Sequence, residues 1–173
     1  MNSISSWRRY GLVMMLLFFL LFCPSAFTIP LDEETSRVLK SAETLFQAMQ
    51  DKNYCLIWQT LTHKTRQKIV DSVYKASTKK GLETVKDKIL ADFIEGGEIA
   101  KAYWNSYLHE FDPEIALRES KWTINKLEKD TAEINILYKK SPNPAVLQLY
   151  RENKAWKVGL EETFGARSLI PFK

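Results

Sequence analysis

The alternation of apolar and polar residues near the end of the chain predicts an antiparallel hairpin. Residues 145–152 and 155–161 form two alternating runs, and the dipeptide at 153–154 separates them. With that dipeptide as a two-residue turn, Leu149 faces Val158 and the apolar side chains sort to one face. The apolar face carries Leu147, Leu149, Trp156, Val158 and Leu160, and the other face carries Gln148, Tyr150, Lys157, Gly159 and Glu161. A shift of one residue would destroy this sorting, so the pattern predicts the register as well as the strands.

Two earlier runs extend the hairpin into a meander. Residues 121–127 place Trp122 and Ile124 on one face, and residues 132–138 also alternate, with Leu137 as the exception. The apolar face of the second run carries Ala132, Ile134, Ile136 and Tyr138. The connections between the runs are short, which makes consecutive strands antiparallel. The apolar face of such a sheet must be buried against another element, and the helices predicted earlier in the chain can pack on it.

Helical periodicity dominates the residues that precede the sheet. Asp32 is predicted as the N-cap of a first helix, with Glu33 and Glu34 in the first turn, where the helix dipole favours negative charge. The apolar stripe of this helix consists of Val38, Ala42, Leu45, Phe46 and Met49. The polar residues 51–53 end it.

Further helices follow in order. Residues 54–61 form a short second helix, and Thr62 caps a third helix that stops at Gly81. A fourth stripe, which the glycines at 96 and 97 break, contains Leu82, Val85, Ile89, Leu90, Phe93 and Ile94. Residues 98–108 and 112–117 add two more helical segments. Together these patterns predict an α+β fold over residues 32–173, in which N-terminal helices pack on a C-terminal antiparallel meander of about four strands.

The first 26 residues have the composition of an export signal. Arg8 and Arg9 precede an uncharged apolar run over residues 11–23, and small residues suited to a cleavage site follow it. The run of about 13 residues is short for a membrane-spanning helix, which needs about 20. Residues 1–26 are therefore predicted as a signal peptide, which places the protein in the periplasm or outside the cell.

Two alternatives to cleavage stay open. Phe27 and Ile29 extend the apolar run, so an uncleaved segment would anchor the protein to the membrane. Cys23 is a candidate for lipidation, although the bulky Phe22 stands where a bacterial lipoprotein signal has a small residue.

Cysteine content argues against a disulfide-stapled fold, and the net charge argues against a protein that binds nucleic acid or anionic lipid. Cys23 and Cys55 are the two cysteines, so Cys55 has no partner in the chain if Cys23 leaves with the signal. The formal charge of +4 falls to +2 without Arg8 and Arg9. So small a charge does not indicate nucleic acid or anionic lipid as a partner.

Three segments resemble the nuclear-transport-factor-2-like superfamily of cone-shaped α+β rolls. They are residues 45–54, followed by Trp58 and Leu61, then residues 130–136 and 152–158. Many envelope members of that superfamily end in a hairpin similar to Asn-Gly-x-Trp-Lys-Val, and this chain has lysine in place of the turn glycine. The resemblance implies a roll with a cavity between the sheet and the first helix. It does not transfer an activity, because this fold hosts enzymes, ligand binders and adaptors.

The sequence offers little support for catalysis or for a metal or other cofactor. His63 and His109 are far apart, and Cys55 lies eight residues from His63, about two helical turns and beyond hydrogen-bond reach. Enzymes that resemble this fold, such as ketosteroid isomerase, use a carboxylate base in an apolar cavity. Here Glu133 and Glu161 are predicted on polar faces of strands.

The aromatic residues are the candidates for a ligand pocket, with packing in the core as the alternative for them. They are Phe46, Trp58, Tyr103, Trp122 and Trp156. The function predicted from these observations is a non-enzymatic envelope module that binds a small apolar ligand or a protein partner. The alternatives are a small-molecule isomerase or hydrolase that uses a carboxylate in the roll cavity, and a scaffold that forms homodimers through the outer sheet face near Tyr150.

Overall fold

Helices precede a sheet in residues 31–165, which are the residues that the computed structural model describes. The predictions for Cys23 and for residues 1–26 lie outside this range. The helices are α1 (Leu31–Gln50), α2 (Tyr54–Thr60), α3 (His63–Lys79), α4 (Lys86–Glu95), α5 (Glu98–Glu110), α6 (Pro113–Arg118) and α7 (Leu160–Phe164). The strands are β1 (Ser120–Leu127), β2 (Thr131–Tyr138), β3 (Ala145–Glu152) and β4 (Ala155–Gly159). The predicted α+β class is confirmed.

The sheet is the meander that the alternating pattern predicts. Its strands pair in the order β1-β2-β3-β4, and every pair is antiparallel. β3 and β4 pair in the predicted register, with Leu149 opposite Val158. Asn153 and Lys154 have φ angles of 51° and 66°, and a two-residue hairpin turn of this kind needs positive φ at both positions.

The last strand is shorter than the sequence predicts. β4 ends at Gly159, and Leu160 begins α7, so the predicted strand over residues 155–161 is wrong at its end. Leu160 stays buried because α7 packs against α3 and β3. Glu161 therefore lies in the first turn of a helix and not on the polar face of a strand.

α1 covers the apolar face of the sheet. Its predicted stripe of Val38, Ala42, Leu45, Phe46 and Met49 is buried. The helix packs against β4, β1, α2 and α6, and the hydroxyl of Ser41 donates a hydrogen bond of 2.7 Å to the carbonyl oxygen of Trp156. The helix begins at Leu31, so Asp32 lies in its first turn and the prediction of Asp32 as N-cap is wrong.

The fourth predicted helix differs most from the structure. Gly81, with a φ of 72°, turns the chain out of α3, and α4 does not begin until Lys86. Of the predicted stripe, Ile89 and Phe93 are buried, because a ten-residue helix presents one narrow face to the core. The exposed members of the stripe are Leu82, Val85, Leu90 and Ile94.

Between residues 31 and 165, no helix combines the length and the apolar composition needed to cross a bilayer.

Candidate functional site

A groove of about 630 Å³ between α3 and α4 is the candidate functional site. Small-molecule sites in proteins commonly enclose roughly 300–1,000 Å³, so this volume suits a small ligand. We call it the α3–α4 groove. The side chains that define it are Trp58 from α2, Arg66, Val70 and Asp71 from α3, and Lys86, Leu90 and Ile94 from α4.

A polar cluster holds the start of α3 against the sheet. Thr62 is the predicted N-cap, and its hydroxyl oxygen accepts a hydrogen bond of 3.1 Å from the backbone N–H of Thr65. The backbone N–H of Thr62 donates to the carbonyl oxygen of Val158 at 3.0 Å. The Thr65 hydroxyl donates to the Glu162 carboxylate of α7 at 2.9 Å. These contacts place the first turn of α3, and with it one wall of the groove, relative to β4.

Close packing of glycine sets the end of α4. Gly96 caps the helix with a φ of 68°, and a Cβ at this position would lie 2.8 Å from Sγ of Cys55. The carboxylate of Asp92 then accepts a hydrogen bond of 2.8 Å from the backbone N–H of Ala100, which joins α4 to α5. The second wall of the groove is therefore tied to α2 and α5.

The groove has an apolar wall because of the way α4 is rotated. Ile89 and Phe93 are four residues apart and face the core, where Phe93 stacks on Trp58 with ring centroids 4.8 Å apart. Leu90 follows Ile89 in the chain and Ile94 follows Phe93. Leu90 and Ile94 therefore lie on the adjacent face of the helix, which lines the groove. They are 40% and 54% exposed, respectively.

An ion pair crosses the groove. Nζ of Lys86 donates to the carboxylate of Asp71 at 2.5 Å. This hydrogen bond lowers the pKa of Asp71 and raises the pKa of Lys86. Both side chains are therefore charged at neutral pH and neutralise each other.

Arg66 is a cation that lines the groove, and it has few charged or hydrogen-bonding partners among the described residues. Its Nη2 lies 3.7 Å from the Glu152 carboxylate, and its guanidinium carbon lies 6.0 Å from the ring centroid of Trp58. Its Nε is buried and has no hydrogen-bond acceptor among the residues that the structure describes. Arg66 thus has one buried donor without an acceptor in the described residues, while its side chain as a whole is 30% exposed and lines the groove.

The structure disperses the predicted pocket residues along the core. Trp58 lines the α3–α4 groove, and Tyr103 lines a separate hollow of about 290 Å³ between α3 and α5. Phe46 lies on α1 and packs edge-on against Trp122 of β1, with ring centroids 5.4 Å apart. Burial raises the pKa of the Tyr103 hydroxyl well above its usual range, so it stays protonated.

Trp156 belongs to a polar clamp between α1 and the sheet. Its Nε1 donates to the carboxylate of Glu34, and the Arg151 guanidinium lies 4.5 Å from its ring centroid. Trp156 therefore lies away from the groove residues named above.

The two histidines and the cysteine within residues 31–165 do not come together in one site. His63 lies at the edge of the groove, whereas His109 is exposed and contacts Glu110 at 3.2 Å. Cys55 packs against Gly96. Residues 31–165 contain no group of three or more His, Cys, Asp or Glu residues that could hold a metal ion.

Glu161 lies in α7, and Tyr150 lies on β3, which packs against α7. One carboxylate oxygen of Glu161 is buried without a hydrogen-bond partner in the described residues, and the other lies 3.8 Å from Nζ of Lys68. Tyr150 donates to Gln148 at 2.7 Å, and burial, followed by the charge of Glu162, raises its pKa. The outer sheet face near Tyr150 is thus partly covered by α7, and the homodimer through this face stays a prediction.

Sequence reasoning missed the two features that make the groove. The sequence pattern puts Leu90 and Ile94 in one stripe with Ile89 and Phe93, and it does not single out Arg66. One signal is available: the six members of the stripe are more than the single face of a short helix can bury.

Comparison with protein-family models, with curated proteins and with solved structures gives no match for this chain. The resemblance to nuclear-transport-factor-2-like rolls therefore stays a prediction from the sequence.

Proposed function

We propose that this protein is a non-enzymatic binding module that takes a small apolar ligand in the α3–α4 groove. The exposure of Leu90 and Ile94, at 40% and 54%, carries the proposal. Both side chains face a concave surface whose floor includes the buried ring of Trp58. A concave apolar surface with a few polar groups at its edge is the usual form of a small-molecule site.

The charged groups of the groove favour binding over catalysis. Asp71 is the carboxylate in its lining, and the hydrogen bond from Lys86 lowers the pKa of Asp71. A general base is most effective when its pKa lies near the working pH, so a carboxylate with a lowered pKa is a weak base. The alternative of an isomerase or hydrolase draws no support from this groove.

We place this module in the cell envelope. The support is the sequence of residues 1–26, with its two arginines, its apolar run and its small residues before Phe27. An apolar ligand has low solubility in water, so a carrier or sensor for it is useful in that compartment.

The test is a titration of the full-length protein with the neutral fluorescent dye N-phenyl-1-naphthylamine. We expect saturable binding in the wild type. The double substitution Leu90→Gln and Ile94→Gln removes two apolar contacts and should weaken binding about tenfold or more.

Leu137→Gln is the matched control, because Leu137 is 38% exposed on the outer face of the sheet. It should leave dye affinity within about twofold of wild type, because Leu137 does not line the groove. The apolar N-terminal segment is present in all three proteins, so dye bound there gives no difference between them. Equal affinity in the wild type and the double variant would contradict the proposal.

A further inference from the structure

The α3–α4 groove carries a positive charge, at the end formed by Arg66, that the described residues neutralise only in part. The side chain of Arg66 is 30% exposed, and its one ion pair within the described residues is the long contact of 3.7 Å with Glu152. Its Nε is buried and finds no acceptor within residues 31–165. A guanidinium offers five N–H donors in a planar fork, and the 3.7 Å contact with Glu152 is too long to be a hydrogen bond from one of them.

Glu152 cannot neutralise Arg66 fully because the start of α3 takes up its carboxylate. Both carboxylate oxygens accept from the backbone N–H of His63, at 2.9 and 3.1 Å. A helix N-terminus attracts negative charge, which holds Glu152 there. The guanidinium of Arg66 is left at a distance longer than a hydrogen bond.

A second cation competes for the same carboxylate. Lys157 lies on the neighbouring strand β4, and its Nζ donates to the carbonyl oxygen of Gln59 at 2.6 Å. Burial, followed by the positive charge of Arg66, lowers the pKa of Lys157. Arg66 and Lys157 thus share the single negative charge of Glu152.

The other charges of the groove cancel. Asp71 and Lys86 pair at 2.5 Å, so they add no net charge to the site. The remaining excess is one positive charge, placed beside the apolar wall of Val70, Leu90 and Ile94. A ligand that complements this arrangement has an apolar body and one negative charge.

We infer that the ligand of the α3–α4 groove is an amphipathic monocarboxylate, whose carboxylate pairs with Arg66 while its hydrocarbon chain lies along Leu90 and Ile94. This inference rests on the proposed function and adds the chemical class of the ligand. Carboxylates match the planar fork of arginine and form two parallel hydrogen bonds with it. The apolar wall supplies affinity, and the guanidinium supplies the preference for an anion.

The experiment measures displacement of N-phenyl-1-naphthylamine from the full-length protein by three ligands of equal chain length: decanoate, 1-decanol and decyltrimethylammonium. We expect decanoate to bind about tenfold more tightly than 1-decanol, since a hydrogen bond to a charged group contributes that much. Decyltrimethylammonium should bind most weakly. The substitution Arg66→Gln should remove the preference for decanoate, so that decanoate and 1-decanol bind this variant with affinities within about twofold of each other.

Lys64→Gln is the matched control, because Lys64 is an exposed lysine on α3 and the substitution removes the same charge. It should keep the preference for decanoate. A thermal unfolding transition like that of the wild type shows that the Arg66→Gln protein is folded.

The possible failures are distinguishable. If the dye and 1-decanol bind but decanoate binds no more tightly, the proposed function stands and the monocarboxylate is wrong. If no ligand binds the groove, both proposals are wrong. Binding to phosphatidylglycerol vesicles without binding of monomeric decanoate would also overturn the inference, because the anion would then belong to a lipid surface.

Discussion

Glu34 shows how a single carboxylate joins distant parts of this fold. It lies in the first turn of α1, and it is 9% exposed. Nη2 of Arg151 donates to its Oε1 at 2.6 Å, and Nε1 of Trp156 donates to the same oxygen. Glu34 thereby connects α1 to both β3 and β4.

The first prediction concerns this clamp. Glu34→Ala leaves the guanidinium of Arg151 and the indole N–H of Trp156 without their shared acceptor, so it should reduce the free energy of unfolding by about 2–3 kcal/mol. Chemical denaturation at neutral pH measures the change. Glu33→Ala is the control, because Glu33 forms an exposed pair with Arg37 four residues away and should cost less than about 0.5 kcal/mol. Equal losses in the two variants would show that the clamp adds no stability.

At the scale of elements, the local sequence predicts the register of the β3–β4 hairpin, but it does not predict which face of α4 is buried. The hairpin is local: two alternating runs and a two-residue turn determine its register. α4 depends on its neighbours, because Trp58 and the rest of the core cover Ile89 and Phe93 and leave the next face open. The stripe therefore predicted a helix correctly over residues 86–95 and was wrong to include Leu82 and Val85, which precede the helix.

The second prediction tests the turn of this hairpin. Lys154 has a φ of 66°, a conformation in which a side chain is strained and glycine is not. Lys154→Gly should raise the free energy of unfolding by about 0.5–1 kcal/mol, measured by thermal or chemical denaturation. The same substitution at Lys129, a loop residue without a positive φ, should give no gain. A loss of stability with Lys154→Gly would mean that the turn is not strained.

At the scale of the whole molecule, the described residues share one apolar core. Every buried apolar side chain of the described residues lies between Val38 and Leu160. These side chains form one cluster that joins the helices to the apolar face of the sheet.

The third prediction concerns the predicted signal peptide at residues 1–26. Protein recovered from an exporting bacterial host should begin at Phe27, and intact mass measures the start. The same material should unfold in a single cooperative transition, because its core is one cluster. The variant Arg8→Glu with Arg9→Glu removes the positive flank of the signal and should reduce export. Full-length protein with an unmodified N-terminus in the exported fraction would contradict cleavage.

The sequence by itself determined the class of the fold, the order of the first six helices and the register of the last hairpin. These features depend on interactions within a few residues, such as the cap at Thr62, the glycines that end α3 and α4, and the alternation along each strand. Such signals are legible in the chain because periodicity and turn chemistry are local.

Only the tertiary structure decided where the candidate site lies. The groove depends on which face of α4 meets α3, and its charge depends on Glu152 reaching His63 across 89 residues of chain. The clamp of Glu34 on Arg151 spans 117 residues. Contacts at such separations depend on the packing of whole elements, and no local pattern of residues encodes them.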